Sequence, residues 1–583
     1  MGDAEGDALL TALEEAESAK LVQTVSSGRE VRWEFAHGLI RQTLENSLSL
    51  MRRQRAHLRV AEAMERVYGT RIERRAADVA QHLYQAGMGA DPDKTVRFLT
   101  LAGDQALEAG AGDEALRLFT EALSIQEDGD DRRKVADLQY RNRSLGRSAD
   151  AVDAWRPALA AYEALDDLEG IARTAYDVAE QTSWLPGQAR AAADVARRAL
   201  DLVGDRDAAA RCRMLALFAR FSSLAGVPYE VSRGALVEAE TLAASLDRPE
   251  LTAEVLSART RFHWSYAQFP QAIEVGRRGM ALRTERSELY EAVELKWQVC
   301  ASALLAGRLR EADEMVAELE PEAERVGNMG ASFAWRWSRE CHHFVTAGDL
   351  VASDQRWGRL IEWCEQHGPA FVAGVFTLRG WVRFCAGDWE AARADYDSAV
   401  RLDNPSFTDG WFSTVGLVAG AYAGDDVLAR LQAARVQALG MHEDNPVGLW
   451  ELAYNVVEGL AILGEREKAA DLYHVVLEGF EKGMVVSIGL RPWRLVVGIA
   501  AACGQRWDVA QEHYEATLRQ AHDLPHKIAQ PEVRRWYAQM LLDRNGAGAR
   551  DKARTLLGEA IEMYRTIGMP KHLEMAERMV EEL

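Results

Sequence analysis

The sequence predicts an all-α solenoid of about twelve helical hairpins, preceded by a short segment that carries a β-hairpin, and three observations lead there. A pattern of small and apolar residues recurs roughly every 40 residues from about residue 94 to the end. Within each copy the apolar residues stand at spacings that put them on one face of a helix. The 583 residues are 48% hydrophobic, 27% charged and 8% aromatic, which suits several domains or one long repeat array and excludes collagenous and disordered classes.

In chain order, Leu9–Lys20 has helical periodicity, and Leu21–Val25 and Val31–Phe35 alternate like two short strands around the turn Ser26-Ser27-Gly28. A helix is expected from His37 to Leu48. Helix, hairpin and helix make the second half of a winged helix, so residues 1–48 read as a winged-helix remnant, 49–93 as connecting helices and 94–583 as the repeats.

Each repeat has a loop residue, usually Gly, a small residue five positions on, a further residue four later, and Ala, Leu or Val beyond. Copies begin at Gly110, Gly146, Gly187, Ala267, Gly307, Gly348, Gly387, Gly424, Gly464, Gly504 and Gly548, with a degenerate copy near Gly226 and one inserted residue after Gly504. Gly387 with Ala392, Tyr396 and Ala399 is a clear example. The loop Gly permits a turn that a Cβ would resist. Ahead of several loops an aromatic residue (Trp337, Phe376, Trp493) is followed four later by a smaller one (Cys341, Gly380, Val497), an anchor and then a gap for the second helix.

This pattern resembles the tetratricopeptide repeat, which implies a right-handed α-solenoid. The long unit looks like the helical-repeat domain of maltose-regulator-type signalling ATPases. The string VRWEFAHGLIRQTLENSLSLMRRQRAHLRVAEAME resembles the junction between winged helix and repeats in bacterial STAND ATPases, and the C-terminal ARTLLGEAIEMYRTIGMPKHLEMAERMVEEL does likewise. In that family a His after the second wing strand, in a pattern like M-H-D-x-x-R, touches bound ADP. The match here is Ala36-His37-Gly38-Leu39-Ile40-Arg41, so the resemblance makes His37 a nucleotide-sensing residue, with Gly38 in place of the acidic one. No Gly-Lys dipeptide occurs, so no Walker A loop is present to cradle phosphates. The chain is expected to be the sensor half of such a switch, with the ATPase domain in cis or trans.

Asp plus Glu exceed Lys plus Arg by 90 to 69, a net charge of −21 that repels a phosphate backbone. Direct nucleic-acid binding is not expected, and the basic run Arg52, Arg53, Arg55 and Arg59 reads as a solvated or interdomain face. The N-terminus MGDAEGDALL is acidic where a signal peptide would be basic, and no apolar run reaches membrane length, so a cytoplasmic chain without a membrane partner is expected. The six cysteines are widely spaced and no H-E-x-x-H, G-x-S-x-G or S-x-x-K occurs, so no metal, cofactor or enzymatic nucleophile is expected. Cys341, His342, His343, Cys364 and His367 are the one candidate metal group, but Cys341 already fits the small position of its repeat. Gly110 to Ala115 fits a dinucleotide fingerprint, yet a helix precedes it where that motif needs a strand. Asn142-Arg143-Ser144 is a glycosylation sequon on paper only.

Nine of the sixteen tryptophans fall between 264 and 411. Trp337 and Trp357 occupy packing positions of the repeat. Trp335, His342, Trp381, Phe384 and Arg494 fall at first-helix positions that face the concave groove in tetratricopeptide proteins, and the first four are expected to be partly exposed there. Aromatic faces beside Arg and His suit an extended protein segment or a small-molecule inducer. The function expected is a non-catalytic binding scaffold; the alternatives are an enzyme with a carbohydrate-processing carboxylate pair in the Trp-rich groove, or a winged-helix transcription regulator.

Overall fold

A computed structural model describes residues 3–27, 30–109, 111–126, 148–185, 187–283, 289–402, 408, 410–442 and 444–583. The glycosylation sequon and the loop residues Gly110 and Gly146 lie outside the described residues. The chain packs as two units, residues 1–145 and 146–583.

The N-terminal unit opens with the helix Asp3–Ser18 and the antiparallel strands Val22–Ser27 and Glu30–Phe35, in register from Val22 opposite Phe35 to Ser27 opposite Glu30. The Glu17 carboxylate accepts from the backbone N–H and the hydroxyl of Thr24 at 3.0 and 2.7 Å, tying helix to strand. The helices Gly38–Ser47, Leu50–Tyr68, Ala76–Ala86, Pro92–Glu108 and Gly112–Gln126 follow. A core containing Ala61, Val79, Leu83, Phe98, Leu99 and Leu118 joins the connecting helices to the first hairpin. The first repeat therefore packs with the N-terminal unit.

The second unit is an α-solenoid. Among the described residues, ten complete hairpins run from Leu168–Ser183 paired with Ala189–Val203 to Ala529–Arg544 paired with Ala549–Ile567, and Pro570–Glu581 caps the end. The small residue five after each loop residue is where the two helices touch. Ala192, Ala272, Ala392, Ala429, Ala469 and Ala553 are all fully buried. The loop residues take the left-handed conformation, Gly387 at φ 79° and Gly464 at φ 79°, which costs a glycine no Cβ clash.

Two copies resolve their irregularity here. Beside Gly504 the left-handed residue is Gln505, at φ 57°, so the small residue Ala510 is again five positions on and the apparent insertion disappears. After Gly226 the closest contact falls one residue late, at Ser232, whose hydroxyl lies 2.7 Å from that of Ser222.

The solenoid comes round on itself. Val485 and Val486 both donate backbone N–H groups to Leu305 O, at 3.1 and 3.0 Å, and Lys527 N–H donates to Val345 O at 2.8 Å. A Cβ placed on Gly387 would stand 2.9 Å from Lys571 Cγ. Each contact joins the end of a first helix to a linker about 180 residues later, as Lys527 Nζ to Ala347 O at 3.1 Å records directly. The segment Lys482–Pro492, with Met484, Val486, Ile488 and Leu490 buried, fills the axis where a concave groove would otherwise open.

Candidate functional site

The exposure expected of Trp335, Trp381 and Phe384 is corrected by the structure: all three are buried, Trp381 at 2% exposure. The inward face of the helices is covered by the next turn of the superhelix. The Arg491 guanidinium lies 5.3 Å above the Trp381 ring, and Phe384 meets the His572 ring edge-on at 5.1 Å. Trp335 is held between Arg336 and Arg339, at 4.0 and 4.6 Å. His342 is half-buried and pairs with Asp313 at 2.8 Å, and the Arg494 guanidinium lies 4.5 Å over Phe480. Trp381 and Phe384 touch each other edge-on at 5.5 Å, but the five residues do not converge on one cavity.

A cavity of about 580 Å³ opens within the second unit, lined by residues between Ser183 and Ile488. Its walls include Trp184, Trp264, Trp297, Trp337 and Trp411, with Phe221, Phe333, Phe371 and Phe412 between them. Phe333 and Phe371 stack with centroids 3.9 Å apart, and Trp184 leans on Phe371 at 5.5 Å and Trp297 at 6.5 Å. Ile488 of the axial segment closes one side, its backbone N–H donating to Glu451 at 3.0 Å. Trp337, expected as packing alone, is buried and also lines this space.

Three arginines line the same cavity, the exposed Arg190 and a buried pair, Arg220 and Arg261, exposed by only 3% and 4%. The carboxylate partners of the buried pair lie behind them, outside the lining. Glu294 accepts from Arg220 at 2.9 Å, Arg261 at 3.0 Å, Trp297 Nε1 at 2.7 Å, Gln298 at 2.9 Å and Asn328 at 3.1 Å. Those donors saturate its lone pairs. Burial works to raise the Glu294 carboxyl, but the two arginines and these hydrogen bonds outweigh it and hold it below the ordinary carboxylate range. Glu180 pairs with Arg220 at 2.9 Å. Burial pushes its carboxyl up to about 7 against the pull of Arg220.

Sequence reasoning missed these residues, although a signal was present. Arg220 and Arg261 stand six residues before Gly226 and Ala267, the same row of the repeat that holds His342 and Trp381. A charge on the apolar face of two successive first helices requires a buried partner or a ligand.

His37 is exposed, and its Nδ1 accepts from the backbone N–H of Leu39 at 3.3 Å, at the start of the helix Gly38–Ser47. The histidines of the candidate metal group turn to other partners, with His343 Nδ1 3.3 Å from Ser353 Oγ and His367 Nδ1 3.0 Å from Trp363 O, and Cys341 and Cys364 are buried. Among the described residues no cluster of three or more His, Cys, Asp or Glu is arranged to hold a metal, and no helix is long and apolar enough to cross a membrane.

No family model matches the chain, and no curated protein matches it. Among solved structures it is similar to the anaphase-promoting-complex hetero-tetramer Cut9-Hcn1, with 12% identity over 91% of this chain and 93% of the other at a TM-score of 0.44. It is also similar to a Rap protein complexed with Competence and Sporulation Factor, with 11% identity over 72% and 97% of the two chains at a TM-score of 0.37. Yeast Tom70 matches at 13% identity over 84% and 97%, with a TM-score of 0.28.

Proposed function

We propose that residues 146–583 form a non-catalytic sensor that binds a small-molecule inducer in the aromatic cavity, and that the N-terminal unit carries the signal to a STAND-type ATPase domain in cis or trans. One observation carries the reading: the second unit holds a cavity of about 580 Å³ whose walls include five tryptophans. Binding sites for small molecules commonly measure roughly 300–1,000 Å³, mostly apolar with a few polar groups. The face bearing Trp381 and Phe384, the expected bed of an extended protein segment, is already packed.

The described lining includes no carboxylate, imidazole or thiol, so it offers no pair of groups for general acid and base work or glycoside cleavage. That favours binding over catalysis. The signalling half of the reading rests on the resemblance at the winged-helix junction, supported by the hairpin Val22–Phe35 and the helix Gly38–Ser47 that follows His37.

The test uses N-phenyl-1-naphthylamine, an uncharged fluorescent probe of apolar cavities. Wild type should bind it with enhanced emission. Gly374 lines the cavity, and a Cβ there would meet only Phe412, at 3.9 Å. Gly374→Trp should therefore fill the space and abolish the signal while the helical circular dichroism is kept. Equal probe binding by both proteins sinks the reading.

A further inference from the structure

We infer that the ligand of the aromatic cavity is a planar aromatic acid, its rings held among the tryptophans and its single anionic group set against Arg220 and Arg261. The inference rests on the cavity being a ligand site, as proposed above, and adds the chemical class.

Five tryptophans around one space fit two opposite kinds of guest. An aromatic cage with no charge of its own attracts cations, through the negative faces of its rings. Here the fixed charge facing the cavity is positive. Arg190, Arg220 and Arg261 line it, whereas Glu180 and Glu294 stand behind, so a cationic guest meets three guanidinium groups first. The Arg261 guanidinium also covers the Trp297 face at 4.4 Å, occupying a surface an ammonium would use.

The arginines retain capacity for an acceptor. The Nε of Arg220 and the Nε of Arg261 are both buried without a hydrogen-bond partner among the described residues, and an unmet donor at a buried cation costs more than at a neutral group. Glu294 already serves five donors and has nothing further to give. Burial, with Arg220 adding to it, draws the Arg261 guanidinium down to about 10 against the pull of Glu294 and Glu180. A carboxylate bound at this wall supplies a further anionic partner to the arginines and accepts charge-assisted hydrogen bonds. The ring system suits the remainder, since Trp184, Trp337 and Trp411 offer flat, uncharged walls.

Three probes of one shape separate the alternatives: 2-naphthoate, uncharged 2-naphthamide and protonated 2-naphthylmethylamine, each displacing N-phenyl-1-naphthylamine from the wild-type chain. Naphthoate should bind at least about tenfold more tightly than the amide, with the amine weakest. Arg261→Gln should reduce the preference of acid over amide to within about threefold while the amide binds as before. Equal binding of acid and amide, or a preference for the amine, overturns the inference and leaves the cavity standing as a ligand site. Failure of the uncharged reporter itself to bind overturns the site and the inference together. Because the probe series is read on wild type, a misfolded Arg261→Gln does not remove the test.

Discussion

The backbone N–H of Lys527 lies 2.8 Å from the carbonyl oxygen of Val345, two residues in different turns of one superhelix. A carbonyl at a helix C-terminus has no partner inside its own helix, and here a linker four to five repeats further on provides one. The same holds for Leu305 with Val485 and Val486. Ordinary repeat arrays contact only their nearest neighbours; this one also contacts the turn above, and that extra contact covers its inner face.

The superhelical contact is separable from loop strain by two glycines. Gly307 and Gly424 have similar left-handed backbones, φ 73° and 84°, but a Cβ on Gly307 would stand 2.5 Å from Val485 Cγ1 and one on Gly424 would meet nothing within 4 Å. Gly424→Ala should cost about 1 kcal/mol for the backbone alone. Gly307→Ala should cost about 1–3 kcal/mol more, because Val485 is pinned by its bond to Leu305. Denaturant midpoints of the two variants give the difference, and equal values would show that the turns are not in contact.

Trp381→Ala should destabilise by about 3–5 kcal/mol, as expected for emptying a buried aromatic site. A Trp in an open groove would cost little on truncation. Thermal unfolding followed at 222 nm decides between the two, and a melting temperature within a degree of wild type would return Trp381 to the surface.

Glu451 gives the solenoid a pH dependence. Burial pushes its carboxyl up to about 8, although the Ile488 N–H pulls the other way. Its folded value lies above its unfolded one, so the stability it contributes is complete below the ordinary glutamate range and is lost as pH rises through about 8. Wild type should therefore lose stability between about pH 5 and 8. Glu451→Gln keeps an acceptor for Ile488 without the ionisation, and its loss over that interval should be smaller; identical melting curves across the range would count against a buried neutral Glu451.

Binding of 2-naphthoate should take up a proton. Glu180 faces Arg220, Arg261, Glu294 and Glu291, with Tyr176 and Tyr290 beside it held protonated by burial. A carboxylate guest at Arg220 competes with ionised Glu180 and raises its carboxyl further above 7. Affinity should then increase as pH falls from 8 to 6, by less than about tenfold per pH unit. Titration calorimetry in buffers of different ionisation enthalpy measures the proton directly, and Glu180→Gln should abolish it.

The sequence alone determined the repeat. Its loop residues, the small residues five positions on, the helical spacing and the short hairpin before them are local matters, set by which backbone conformations a Cβ permits and which face of a helix is apolar. Even the irregular copy at Gly504 obeys that rule once Gln505 is taken as the loop residue. The tertiary structure alone decided which inward-facing residues are open. Trp381 and Arg261 occupy the same position of their repeats, yet one is sealed under Arg491 and the other lines a cavity. That difference depends on superhelical pitch and on where the segment Lys482–Pro492 lands, small rotations accumulated over several hairpins that leave no mark in any single repeat.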